Sequence, residues 1–258
     1  MPYFDNEGVN IHYEIEGEGP DLFMIHGFAS SMQGNWYATK WVKELRDTNR
    51  LILVDCRGHG KSDKPTDSSQ YGRKMLEDIE KLQDHLSIEK ANFMGYSMGA
   101  GITMNLLLSR PERMKSAILG GTALPPGDQQ ILRDRSPIIN ALRAESVKDI
   151  KNPIGKRFRL FAQSTGGDLN ALAAVMEGGE QVAAEMEQTK EKLKKVAIPV
   201  LTVVGSKDEL MPADKTVIST LIPGACHFQI QGKDHLTVVP DPKFKMVVKA
   251  FLDFVNSA

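Results

Sequence analysis

Cysteine is scarce in these 258 residues, with only Cys56 and Cys226 present. Two cysteines cannot build a disulfide framework, and neither belongs to a C-x-x-C pair or a Cys/His cluster with zinc-site spacing. Both lie in or beside apolar runs, which predicts buried free thiols. Net charge is equally scarce: 32 Lys and Arg face 33 Asp and Glu, a formal balance of -1. No strong field draws such a chain to nucleic acid or to an anionic membrane surface. No apolar run approaches the ~20 residues of a membrane helix. The opening Met1-Pro2-Tyr3-Phe4-Asp5 lacks the basic and apolar regions of a secretory signal. These absences predict a cytoplasmic protein with no nucleic-acid or membrane partner and no metal or organic cofactor. What is present is a hydrophobic content of 41% and a charged content of 25%. That composition suits a soluble globular protein with one large core, or a core with a small insertion.

Along the chain, Val9 to Glu16 alternates with a period of two and reads as a half-exposed strand. Leu22–Ile25, Leu51–Val54, Ala91–Tyr96, Ala117–Gly121 and Pro199–Val204 are continuous apolar runs, the pattern of strands covered on both faces. A further strand is predicted at Cys226–Ile230. Helical spacing joins Trp36, Trp41, Val42 and Leu45, and again Met75, Ile79, Leu82 and Leu86. A helix over 98–109 ends at Arg110-Pro111, and another closes the chain over about 242–255. Strands alternating with helices predict a mostly parallel sheet with helices on both faces. From Thr122 to about Val196 the alternation stops. Pro125-Pro126-Gly127 opens this stretch, and helical patterns follow at Leu169–Met176 and Val182–Val196. It divides the chain into a core of residues 1–121 and 197–258 and an insertion of residues 122–196. The lysine-rich run Lys190–Lys195 reads as a solvated helix face. Gly178-Gly179 reads as a hinge or a helix break.

The chemistry centres on Gly95-Tyr96-Ser97-Met98-Gly99, a serine between glycines where a strand meets a helix. Such a turn projects its hydroxyl out of the fold, and small neighbours let the crowded backbone pass. Roughly one chain in ten of this size carries such a pentapeptide by chance, so the surroundings must supply the weight. In open parallel sheets ligands bind beyond the carboxyl ends of the strands. His26-Gly27, Asp55–Asp63, Ser97 and Asp208 all stand at such ends, and the His235 loop follows a further strand. A serine nucleophile needs a base, and the base needs an acid to fix its tautomer. Asp208 is the first acid after a buried strand; its rivals are Glu209 and Asp234, the latter adjacent to His235. Among the histidines, His12, His85 and His227 lie within a strand or on a helix, and His26 and His59 precede glycines and read as loop organisers. His235 is the remaining base. A developing oxyanion would be met by the backbone N–H groups of Met98 and Phe28. Phe28 and Met98 also flank the serine, where their side chains would shape an apolar pocket. Met32 and Trp36 are either further pocket residues or core.

The chain thus resembles the α/β-hydrolase superfamily over nearly its whole length outside residues 122–196. The match is carried by His26-Gly27-Phe28, Asp55-Cys56-Arg57-Gly58-His59-Gly60-Lys61-Ser62, Gly95-Tyr96-Ser97-Met98-Gly99, Gly205-Ser206-Lys207-Asp208 and Gly232-Lys233-Asp234-His235. The order Ser97, Asp208, His235 is that of hydrolases with this serine turn. The resemblance implies an eight-stranded sheet whose second strand is antiparallel, with the insertion as a helical cap. It also implies scaffolding roles for Asp55, Arg57 and Ser62. The closest look is to the carboxylesterase and haloperoxidase-like branch, which implies a small-molecule ester as substrate. A carbon–carbon bond hydrolase, a cofactor-free perhydrolase and a hydrolase-fold receptor are the alternatives.

Overall fold

The computed structural model describes residues 2–124, 134–184, 189–211 and 214–257. The Pro125-Pro126-Gly127 turn, Pro212 and the middle of the Val182–Val196 stretch lie outside them. Eight strands form one sheet: β1 (Tyr3–Asn6), β2 (Val9–Glu16), β3 (Asp21–Ile25), β4 (Arg50–Val54), β5 (Ala91–Tyr96), β6 (Met114–Gly120), β7 (Val200–Gly205) and β8 (Cys226–Ile230). Their order is β1-β2-β4-β3-β5-β6-β7-β8. β2 is antiparallel to β1 and β4, and every later pairing is parallel. β1 is the strand that the sequence pattern does not reveal.

The α-helices of the described residues are α1 (Trp41–Leu45), α2 (Arg73–His85), α3 (Met98–Ser109), α4 (Ser136–Arg143), α5 (Pro153–Ser164), α6 (Leu169–Ala184), α7 (Thr189–Leu193), α8 (Val217–Leu221) and α9 (Pro242–Ser257). Side chains alternate across each strand, so the apolar strands feed two cores. Phe23, Ile25, Phe93 and Leu119 face one side with Ile79 and Leu82 of α2 and Leu107 of α3. Leu22, Met24, Met94 and Ile118 face the other with Trp41 of α1 and Phe244 and Val248 of α9. The Phe23 and Phe93 rings stack 4.9 Å apart across β3 and β5. Each such buried side chain contributes on the order of 2 kcal/mol. The chain crosses from β3 to β4 on one side and then to β5 on the other, so the switch point falls at the carboxyl ends of β3 and β5.

Several expectations change here. The Trp36–Leu45 pattern is two pieces, a wide turn closed by Ala38 N–H to the Gln33 carbonyl at 2.9 Å, then α1, parted by Lys40 at φ +68°. Met32 and Trp36 are core residues rather than pocket lining: both are buried among Leu22, Met24 and Trp41, with the Trp36 ring edge-on to Trp41. The helical spacing that joins Trp36 to Trp41, Val42 and Leu45 is the period of packing against the sheet. Cys56 is buried, and burial raises its thiol pKa; Cys226 is exposed at the start of β8, which ends the strand order among the described residues. Gly178 and Gly179 do not break α6, which runs through both. A Cβ on Gly178 would stand 2.5 Å from the Ser68 carbonyl oxygen and 2.7 Å from Tyr71 Cβ, so glycine lets α6 lie close on that loop. In the lysine run Leu193 is buried and Lys192, Lys194 and Lys195 are exposed.

Between β6 and β7 the described residues contain α4 to α7 and no strand. Leu142, Ala162, Leu172 and Val175 from this segment join the cluster that holds Phe28 and Tyr71. Asn152 caps α5 by accepting the Gly155 N–H at 3.0 Å, and Pro153 takes the first helical position. The Arg159 guanidinium on α5 donates to the Ala141, Leu142 and Ala144 carbonyls at the end of α4. This binds the two helices together.

Candidate active site

β5 ends at Tyr96 and α3 begins at Met98, leaving Ser97 alone in the turn with φ +53° and ψ −110°. That conformation is uncommon for a residue with a side chain and costs on the order of 1–3 kcal/mol. Surrounding backbone enforces it. A Cβ on Gly95 would lie 2.1 Å from the Gly99 carbonyl oxygen, and one on Gly99 would lie 2.0 Å from that of Ile25. The two glycines therefore allow β3, β5 and α3 to meet. The Ser97 N–H is fixed by donating to the Gly120 carbonyl of β6 at 2.8 Å.

The loops after β7 and β8 are zipped together. Lys207 N–H donates to the Lys233 carbonyl at 2.9 Å, and Gly232 N–H donates to Ser206 Oγ at 2.8 Å. A Cβ on Gly205 would stand 2.2 Å from the Lys233 carbonyl oxygen, so this glycine too is a condition of close approach. The zipper brings Asp208 and His235 side by side. His235 Nδ1 lies 2.7 Å from Asp208 Oδ2, and His235 Nε2 lies 2.9 Å from Ser97 Oγ. Asp208 is 1% exposed, and its other oxygen accepts the Leu210 N–H at 3.1 Å. A carboxylate facing Nδ1 holds the proton there, which leaves Nε2 as an acceptor for the serine hydroxyl.

The rival acids are elsewhere. Glu209 is exposed, with its carboxylate 4.0 Å from Arg157 of α5. Asp234 accepts from the Thr237 N–H and hydroxyl and the Leu236 N–H, capping its own turn. Those bonds, the Thr237 N–H foremost, hold its carboxyl below the usual range. Sequence reasoning missed Tyr96. Its hydroxyl donates to the His235 carbonyl, and its ring lies 5.3 Å from the imidazole. Burial, with the Asp208 and Asp234 charges nearby, holds the Tyr96 hydroxyl pKa well above its ordinary value. Nothing in a variable position of G-x-S-x-G signals this role.

On the opposite side of Ser97 is the loop after β3. Gly27 N–H donates to Asn35 Oδ1 at 3.1 Å, and the Phe28 ring sits between the rings of His59 at 5.8 Å and Phe158 of α5 at 6.0 Å. Among the described residues neither the Phe28 nor the Met98 amide donates to a protein group. Met98 opens α3, where an N–H precedes any intrahelical acceptor. His26 and His59 organise loops. His26 Nε2 accepts the Cys56 N–H at 3.0 Å while Nδ1 faces the Gly27 carbonyl at 2.8 Å. His59 Nδ1 faces the Arg57 carbonyl at 3.0 Å. Burial lowers both histidine pKa values, His59 to about 3.

Asp55, Arg57 and Ser62 are tied into the scaffold. One Asp55 oxygen accepts the Met32 N–H at 2.8 Å, and the other faces His12 Nδ1 and the Lys61 N–H, each at 3.0 Å. Ser62 Oγ donates back to the Asp55 carbonyl, and Arg57 makes a buried two-pronged bond to Asp78 at 2.6 and 2.5 Å. Among the described residues no group of three or more His, Cys, Asp and Glu is placed to hold a metal ion, and no helix is long and apolar enough to cross a membrane.

The family model described as the alpha/beta hydrolase fold matches residues 20–140. The non-heme chloroperoxidase CPO-A1 of Kitasatospora aureofaciens is 27% identical over 97% of both chains. The 2-hydroxymuconate semialdehyde hydrolase of Pseudomonas sp. strain CF600 is 34% identical over 45% of this chain and 41% of its own length. Among solved structures, the enol-lactonase from Burkholderia xenovorans LB400 superposes with a TM-score of 0.79 at 22% identity, covering 98% of this chain and all of its own. With its sheet order, serine turn and these matches taken together, the chain has the α/β-hydrolase fold.

Proposed function

We propose that this chain is a serine hydrolase that cleaves small carboxylic esters through an acyl-enzyme. The observation that carries the reading is the continuous relay from Asp208 through His235 to Ser97, at 2.7 and 2.9 Å. His235 Nε2 takes the serine proton as Ser97 Oγ attacks the ester carbonyl. The oxyanion is met by the Phe28 and Met98 amides, and His235 then delivers the proton to the departing alcohol. Water, deprotonated by the same imidazole, releases the acid. The helices of the insertion act as a cap: Phe158 of α5 reaches the Phe28 ring and supplies an apolar wall. The chemistry draws on no group beyond the chain's own residues and water.

A second reading keeps the same residues but breaks a carbon–carbon bond. The local similarity to a semialdehyde hydrolase favours it. The test is a panel of p-nitrophenyl esters of increasing acyl length beside vinylogous diketones and a peracid assay. The ester reading expects multiple turnover of short esters and loss of that activity in Ser97→Ala by several orders of magnitude, on the scale of ~10⁶. Ester hydrolysis that survives Ser97→Ala would sink it, and turnover confined to the diketones would hand the site to the second reading.

A further inference from the structure

The loop that carries the Phe28 amide contains a conformational oddity. Ala29, the next residue, has φ +56°, in the left-handed region that favours glycine. Ala29 is buried, so its carbonyl needs a partner inside the protein. That partner comes from the insertion. Thr165, the residue that ends α5, donates its hydroxyl to the Ala29 carbonyl at 2.7 Å. The single hydroxyl proton has two other acceptors within reach, the Ala162 carbonyl at 3.0 Å and the Phe161 carbonyl at 3.2 Å, both in the last turn of its own helix. Ala29 is the nearest of the three. A cavity of about 70 Å³ borders this contact, lined among others by Ala29, Ser30, His59, Thr165 and Leu172.

We propose that Thr165 is a positioning residue for the oxyanion site: its hydroxyl holds the Ala29 turn, and through it the Phe28 amide, in line with the Ser97 hydroxyl. The inference rests on the ester-hydrolase reading above. A hydroxyl returned to the helix carbonyls frees Ala29 to leave its strained conformation, and the Phe28 N–H swings with it. Ground-state binding does not use that N–H as the transition state does, so the latch acts on turnover rather than on substrate affinity.

Thr165→Val keeps the side-chain shape and removes the hydroxyl; Thr165→Ser restores it. The measurements are kcat and KM for a short p-nitrophenyl ester, inhibition by an alkyl boronic acid, and inhibition by the product carboxylate. The boronic acid is a transition-state mimic. Ser97 Oγ bonds to boron, His235 takes the serine proton, and a tetrahedral boronate anion forms. Loss of one hydrogen bond predicts a fall in kcat of about 3- to 10-fold in Thr165→Val, with boronate affinity falling by the same factor. KM and product inhibition stay within about twofold, and Thr165→Ser returns both lost quantities. Wild-type kcat and boronate affinity in Thr165→Val overturn the proposal. So does a parallel loss of boronate, product and substrate affinity, because it reports a general loosening. A wild-type protein that neither turns over esters nor responds to the boronate sinks the underlying reading as well, and is told apart by that control alone.

Discussion

Acid should loosen this fold through a histidine that stands outside the relay. His59 is buried, its Nδ1 faces the Arg57 carbonyl at 3.0 Å, and its Nε2 has no protein partner among the described residues. A proton added at Nε2 makes a buried cation with no protein acceptor for the new N–H, 5.1 Å from the His26 ring. Burial, reinforced by His26, accordingly lowers its pKa from 6.5 to about 3. The folded pKa lies below the unfolded one. Between those values the unfolded chain holds a proton that the folded chain does not, so stability falls as pH drops from 6.5 towards 3. At about pH 5 the unfolded histidine is ~1.5 units below its pKa, which at ~1.36 kcal/mol per unit is a loss of about 2 kcal/mol. That figure is insensitive to the folded value as long as it lies well below 5. Urea unfolding at about pH 7.5 and about pH 5, for wild type and His59→Asn, reads it directly. Asparagine keeps an amide donor for the Arg57 carbonyl and cannot titrate. The wild type is expected to lose about 2 kcal/mol more than the variant between the two conditions. His26 is common to both proteins and cancels. Equal losses in the two proteins would refute the reasoning.

Asp208→Asn leaves the shape of the relay but not its tautomer, and is expected to lower kcat on the order of 10⁴-fold with little change in melting temperature; a loss under tenfold would mean that another acid orients His235. Gly99→Ala sets a Cβ 2.0 Å from the Ile25 carbonyl oxygen, where an ordinary contact begins at 3.4 Å, so α3 must move by about 3.4 − 2.0 = 1.4 Å. Such a displacement of the nucleophile is expected to cost at least ~10²-fold in kcat/KM, and near-wild-type kinetics would show that the elbow is softer than its packing implies.

The buried strands were legible because their apolar runs are uninterrupted, Ser97 and Asp208 because each follows such a run, and His235 because the other histidines fall within strands, on a helix or before glycines. β1 was not: its four residues include Asp5 and Asn6, and only pairing with β2 makes them a strand. Lys40 splits one helical pattern into two because it takes a left-handed conformation that its own sequence does not demand. Met32 and Trp36 are apolar whether they line a pocket or a core, and only the sheet behind them decides. Cys226 lies beside apolar residues but opens β8 with its side chain exposed, while Ile230 at the other end of the strand is buried. Tyr96 and Thr165 act through bonds to distant backbone carbonyls, at His235 and Ala29. Any residue type offers such a carbonyl, so the partner leaves no mark in sequence.

The two halves of the site are held by different means. The acid–base half is fixed within the core: the loops after β7 and β8 are joined by the Lys207 N–H to Lys233 carbonyl and Gly232 N–H to Ser206 Oγ bonds, with Gly205 allowing their close approach, and Tyr96 anchors His235 from the end of β5. The loop after β3, which carries the proposed oxyanion donor Phe28, is shared with the insertion. Phe28 has a core ring, His59, on one side and an insertion ring, Phe158, on the other, and Ala29 has its carbonyl bonded to Thr165. α5 also reaches the acid–base side through the exposed Arg157–Glu209 pair at 4.0 Å, a contact worth little in water. A substrate that shifts α5 would therefore act on the loop after β3 more than on the Asp208–His235–Ser97 relay. Variation in α5 is the change that would retune turnover while leaving Asp208, His235 and Ser97 where they are.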